Sequence, residues 1–167
     1  AWLLKYPEIR LRTDDAQYLQ CLEKYFSVLL PKLAPYQIQK NGSIILAQLE
    51  NEYGSYGEDK EYLKKLYDIM REYGIEVPIF TADGTWDEAL EAGSLFDKDI
   101  FPTGNFGSHA KENMKILEKF MQRHHIEAPL MCMEFWDGWF NRWNQEIVKR
   151  DPQEFLESAK EILEIGN

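Results

Sequence analysis

Two glutamates, Glu52 and Glu134, each stand at the polar end of a short apolar run and open a segment rich in aromatic and glycine residues. The first lies in Ile44-Ile45-Leu46-Ala47-Gln48-Leu49-Glu50-Asn51-Glu52-Tyr53-Gly54, the second in Pro129-Leu130-Met131-Cys132-Met133-Glu134-Phe135-Trp136-Asp137-Gly138-Trp139. Paired carboxylates suit cleavage of a glycosidic bond, because the departing oxygen needs a proton donor and the cationic anomeric carbon needs an anionic partner. Their separation selects the outcome: attack on carbon with retention at about 5 to 5.5 Å, a water-mediated inversion at about 6.5 to 9.5 Å. Strand-end glutamates also serve as rim acids paired with Lys or Arg, so their neighbours decide between the two roles.

Those neighbours favour a saccharide. Trp136, Trp139 and Trp143 crowd together with Phe135 and Phe140 just after Met133. Sugar rings expose C–H faces that pack on aromatic faces, although such a cluster also serves core packing. Tyr53 and Tyr56, in Glu52-Tyr53-Gly54-Ser55-Tyr56-Gly57, either lend hydroxyls to the same rim or fold that loop. Asn105 and Phe106 follow one apolar run, and Thr81, Asp83 and Trp86 follow another, so both sets are placed at the same end. His109, His124 and His125 lack metal-ligand spacing and read as surface or helix-end residues; no metal and no cofactor are expected. Ser55, Ser94 and Ser108 sit in no nucleophile elbow.

The elements that hold these groups alternate. Apolar residues at helical spacing predict helices over 14–33, 58–73, 111–123 and 152–165. Thr13 and Asp14 are expected to cap the first, Pro31 to disturb its end, Gly74 to close the second, and Asp151-Pro152 and Gly166 to bound the last. Runs too apolar for surface strands occupy 43–49, 76–81, 100–103 and 130–135, and Asn41-Gly42-Ser43 reads as the turn that launches the first rather than as a glycosylation acceptor. Buried strands alternating with amphipathic helices predict a parallel sheet, and their spacing matches units of a (β/α)8 barrel. Too few strands are present to close one, so the expectation is an internal slice of a longer enzyme, residues 1–167 forming part of a single domain. A doubly wound open sheet is the alternative, though no glycine-rich phosphate loop follows any strand.

Strand parity places Ile44, Leu46, Gln48, Glu50 and Glu52 on one face and Ile45, Ala47, Leu49 and Asn51 on the other, which should meet the helices. Leu130, Cys132 and Glu134 likewise share a face that turns polar towards its C-terminal end, where barrel enzymes keep their chemistry. Parity leaves Glu50 and Glu52 equally placed. Asn51 has the wrong parity to join Glu52, which predicts a bulge or sharp twist there.

The bulk numbers set outer limits. With 167 residues, 44% hydrophobic and 14% aromatic, the chain supplies one packed core. Its 19 Lys and Arg against 29 Asp and Glu give a net charge of −10, which repels nucleic acid and anionic lipid and removes both as expected partners. Apolar stretches fall far short of the roughly 20 residues of a membrane helix. Cys21 and Cys132 read as free core thiols on a helix and a buried strand. The opening Ala1-Trp2-Leu3-Leu4-Lys5 has no initiator Met, so the true N-terminus is expected to be absent and the compartment stays open between cytoplasmic and extracellular.

Four segments in order resemble glycoside hydrolase family 35, the β-galactosidases. Gln48-Leu49-Glu50-Asn51-Glu52-Tyr53-Gly54-Ser55-Tyr56-Gly57 resembles the family's acid/base segment and Met133-Glu134-Phe135-Trp136-Asp137-Gly138-Trp139-Phe140 its nucleophile segment. Thr81-Ala82-Asp83-Gly84 and Thr103-Gly104-Asn105-Phe106-Gly107 fall between them, and Ala1-Trp2-Leu3-Leu4 resembles the stretch after the third barrel strand. The resemblance implies a TIM barrel of which this chain holds about strands four to seven, the rest of the polypeptide supplying the others. It also implies retaining hydrolysis of terminal β-linked galactose, with Glu52 as general acid/base, Glu134 as nucleophile and Asn51 as partner of the sugar 2-hydroxyl, which settles the choice against Glu50. Trp136 and Trp139 are implied at the aglycone side, in some members with β-1,3-linked galactose. The isolated 167 residues are expected to be inactive. Rival expectations are a non-catalytic saccharide-binding or structural fragment, and another β-glycosidase of the same barrel clan. One departure is Asn144, where the family has Gly, which puts the local turn in question.

Overall fold

A computed structural model describes residues 2–96 and 98–166, leaving Ala1 of the opening motif outside. Helices α1 (Ala16–Leu33), α2 (Lys60–Glu72), α3 (Asp87–Gly93), α4 (Ala110–Arg123) and α5 (Pro152–Ile165) alternate with strands β1 (Ala47–Gln48), β2 (Ile79–Gly84), β3 (Ile100–Phe106) and β4 (Cys132–Phe135). Every strand pair is parallel and the spatial order β1-β2-β3-β4 is the order in the chain. A doubly wound sheet would reverse direction at a switch point. Stepwise order without reversal is that of a (β/α)8 barrel, and this sheet is a half-barrel of that kind.

Helix limits follow local chemistry. Asp15, rather than Asp14, caps α1 by accepting from Tyr18 N–H at 3.0 Å, with Thr13 Oγ1 accepting from Asp15 N–H. The helix continues through Pro31 to Leu33 and then passes into a short 3-10 turn over Ala34–Tyr36. Asp59 caps α2, Asp151 caps α5, and Gly74 turns the chain after α2 at φ +94°, a conformation costly for a side chain. Helix α3 was not foreseen: seven residues carry too little periodicity to register.

The main core joins α2 to β1 and β2 through Tyr62, Leu63, Leu66 and Met70 against Leu49, Val77 and Ile79. Each such side chain contributes about 1.5 to 3 kcal/mol when fully buried. A second cluster packs Ala110 and Met114 of α4 and Ile162 of α5 on Phe106 and Cys132. Both free cysteines are buried, and burial pushes the Cys132 thiol up to about 12.

Strand limits differ from expectation at both ends of the sheet. The first strand shrinks from 43–49 to Ala47–Gln48, because Ile44 is taken into a bridge with Gln37. Ile45 is consequently exposed, and Ile44 packs on the α2 core, so the expected parity holds only around Ala47 to Leu49. On the last strand Leu130 and Cys132 face α4 and α5 rather than sharing the face of Glu134. The reason is a register shift: Gly104 pairs with Cys132 and Asn105 with Glu134, leaving Met133 as an extra residue that re-aims the strand.

Candidate active site

The apolar run ending in Leu49 has its pleating broken immediately afterwards. Glu50 and Glu52 both adopt left-handed backbone, at φ +61° and +49°, while Glu52 N–H still donates to Ala82 O of β2 at 2.9 Å. Non-glycine residues in this region are disfavoured by roughly 1 to 2 kcal/mol each and persist where surrounding structure holds them. Here the break is the sharp twist expected at Asn51: it turns Glu50 aside while Asn51 and Glu52 both come to line one cleft.

Glu50 turns away from the cleft. Its carboxylate accepts from Arg12 Nη2 at 2.8 Å and from Nε at 3.2 Å, and also from the Tyr62 hydroxyl and the Asn51 N–H. Burial and this carboxylate hold the Tyr62 phenol above its ordinary range. Arg12 additionally donates to Asn51 O at 2.7 Å and lies over the Tyr56 ring. The sequence gives no motif for Arg12, which comes from a loop 38 residues before its partner.

Glu52 and Glu134 line one cleft of about 700 Å³ together with Asn51, Trp136, Asp137, Trp139, Phe140, Asn141 and Val148. That size lies within the usual range for small-ligand sites. Asn105 Nδ2 donates to Glu52 Oε1 at 3.2 Å, and Trp136 Nε1 donates to Glu134 Oε2 at 3.0 Å. Asn105 is also the register partner of Glu134, so a single β3 residue stands between the two acids. Trp136 packs edge-on against Trp139, which packs edge-on against Phe140. Trp143 is 97% exposed and takes no part in the cleft lining.

Tyr53 does not reach the cleft. It is 2% exposed, its hydroxyl donates to Arg12 O and accepts from Asp59 N–H, and its ring packs on Tyr62, so it folds the loop rather than lending a hydroxyl to the rim. A short helical turn over Tyr53–Ser55 rotates it into the core as the residue after left-handed Glu52. Arg150 was also unforeseen: it donates to Gly107 O and, at 2.9 Å, to Trp136 O, tying the wall of the cleft to α5. Asn144 adopts φ +60°, and Asn is among the residues that tolerate left-handed backbone, so the turn survives the absence of glycine. His109 precedes α4, and His124 at its end stacks on Phe96 and bonds Glu91.

Asp83 sits behind the loop that follows Glu52 instead of at the rim. Its Oδ1 accepts from Gly54 N–H at 2.7 Å, and its Oδ2 lies where a Cβ on Gly93 would meet it at 2.0 Å. Gly54 itself presses on Ala89 O of α3, leaving no room for a side chain. Burial, offset by the Gly54 bond and reinforced by the Glu52 charge, raises the Asp83 carboxyl to about 6. An acid with a raised folded value binds its proton more tightly when folded, so its contribution favours folding at low pH and is lost as pH rises. Between pH 4 and 6 the wild type should therefore lose about 2 kcal/mol relative to Asp83→Asn, the loss levelling off above the folded value. Urea unfolding of both forms of the complete polypeptide across that interval checks this; parallel curves would refute it.

The model of glycosyl hydrolases family 35 matches residues 1–167. The chain is similar to beta-galactosidase 17 of Arabidopsis thaliana, 36% identical over 167 residues, covering 98% of this chain and 24% of the relative. It is also similar to the beta-galactosidases of Felis catus, 36% identical over 168 residues, and Pongo abelii, 38% over 170 residues, each covering 99% of this chain and 24% of the relative. The chain thus spans about a quarter of the length of the curated relatives it matches.

Proposed function

The chain belongs to glycosyl hydrolases family 35, and from that premise we propose that it forms the catalytic half-barrel of a retaining β-galactosidase. The observation that carries this reading is that Glu52 and Glu134 line one cleft beside Trp136 and Trp139. The curated relatives bear the name beta-galactosidase, which supplies the sugar.

In this reading Glu52 gives its proton to the glycosidic oxygen while Glu134 attacks the anomeric carbon. A galactosyl ester on Glu134 forms and the aglycone leaves as an alcohol. Glu52, now anionic, takes a proton from water, whose oxygen attacks the same carbon and frees Glu134. The Trp136 N–H steadies the attacking oxygen's partner on Glu134, and the Asn105 amide holds Glu52. Asn51 meets the sugar 2-hydroxyl, and Trp139 offers an exposed face to the aglycone, a place suited to a second sugar such as one linked β-1,3. Strands from the rest of the polypeptide pair with the outer edges of β1 and β4 and close the pocket.

The test is hydrolysis of a β-galactoside by the complete polypeptide, followed by NMR of the first-formed sugar. We expect β-galactose before mutarotation, and the 167 residues alone to be inactive. An α-anomer as first product would overturn the retaining step, and failure on every β-galactoside would overturn the substrate class.

A further inference from the structure

Asn51 is held at every polar atom but one. Its N–H donates to Glu50 Oε2 at 3.0 Å, its carbonyl accepts from Arg12 Nη2 at 2.7 Å, and its side-chain Oδ1 accepts from Gln48 Nε2 at 3.0 Å. Among the described residues its Nδ2 has no partner, and Asn51 is exposed on the cleft. Which way a carboxamide points is ordinarily ambiguous, because its oxygen and nitrogen have the same shape. Here the chemistry of a neighbour removes the ambiguity. Gln48 Nε2 also donates to Glu50 O at 2.9 Å, and a backbone carbonyl can only accept. The Gln48 amide group therefore presents N–H to both neighbours, and Asn51 must answer with its oxygen.

We propose that Gln48 is a positioning residue that locks the Asn51 carboxamide with Nδ2 directed at the substrate. The inference rests on the glycosidase reading for its substrate and on geometry for its orientation. The need for a donor is local. Glu52, Glu134 and Asp137, three acidic residues, line the cleft, and a sugar hydroxyl has one proton to give but two lone pairs to satisfy. A flipped Asn51 would add another acceptor and compete with the carboxylates for that proton. Gln48 lies on β1, held in register with Phe80 of β2, so it sets this choice before substrate arrives.

Gln48→Glu tests it, because the new carboxylate keeps the shape and replaces the donor with an acceptor. In the complete polypeptide we expect kcat/KM for an aryl β-galactoside to fall by on the order of 10- to 100-fold. The matching aryl 2-deoxy-β-galactoside, which lacks the hydroxyl that Asn51 meets, should be affected at most about 3-fold, the size of a weak hydrogen-bond contribution. Equal losses on both substrates would mean general damage and overturn the proposal, as would no loss on either. A neutron structure of the wild type reads the orientation without activity: deuterium on the Asn51 atom facing Gln48 would refute the lock. Should the wild type cleave no β-galactoside, the enzyme reading fails and the neutron map alone decides the orientation.

Discussion

Glu52→Ala in the complete polypeptide is expected to slow cleavage of alkyl β-galactosides by about 10² to 10⁴-fold, the usual contribution of a positioned proton donor. A dinitrophenyl β-galactoside needs no such donor, because its leaving group departs as a stable anion. Its burst of released phenol should remain, while turnover stalls at the galactosyl-enzyme for want of a base to activate water. Azide, already anionic, needs no base and should restore turnover by forming a β-galactosyl azide. Glu134→Gln has a different signature: loss on all leaving groups, since no covalent intermediate can form. Equal losses of kcat/KM, which reports formation of the galactosyl-enzyme, for Glu52→Ala on alkyl and dinitrophenyl substrates would remove the acid role from Glu52. The donors at each carboxylate, Asn105 to Glu52 and Trp136 to Glu134, are what keep these side chains placed for the contrast to appear.

The second large effect is on folding. Arg12→Met should destabilise the complete polypeptide by about 3 kcal/mol, because it strands a carboxylate whose side chain is only 11% exposed. The Arg12 side chain is 28% exposed, which sets the expectation at the low end of the range for broken buried pairs. Glu50→Gln should cost less, since Arg12 retains Asn51 O and the faces of Tyr53 and Tyr56. With both changes together, much of the loss should return, and urea midpoints for the four forms give the coupling directly. Strict additivity would mean that the pair does not hold the loop. Because Arg12 and Glu50 also grip Asn51 from both sides of its peptide, kcat/KM should fall in Arg12→Met even where the protein is folded.

Prediction from pattern succeeded where a short stretch of chain contains its own cause. Periodicity located α2, α4 and α5 to within a residue or two, because each buries one stripe against the sheet. It missed α3 and overextended β1, where few residues are involved and neighbours decide: Gln37 takes Ile44, and α3 is built against the Gly54 turn. Tyr53 shows the same limit. Its residue type suits a sugar rim, yet one left-handed residue before it rotates the ring into the core.

The amino-acid order alone determined that this protein is an α/β chain with two acids at strand ends among tryptophans, and its four motifs in register identified the family. These are properties of residue type and spacing, which survive without coordinates. Strand parity could not choose between Glu50 and Glu52, the motif resemblance favoured Glu52, and only the tertiary structure supplied the physical cause. Glu50 and Glu52 have the same parity, and the difference between them is an arginine from a distant loop and a pair of left-handed residues. For Glu134 the sequence placed the acid at the correct strand end, but the reason it parts from Cys132 is an extra residue in β4 that exists only relative to β3. Charge pairing and strand register join parts of the chain far apart in order, so no local pattern can encode them.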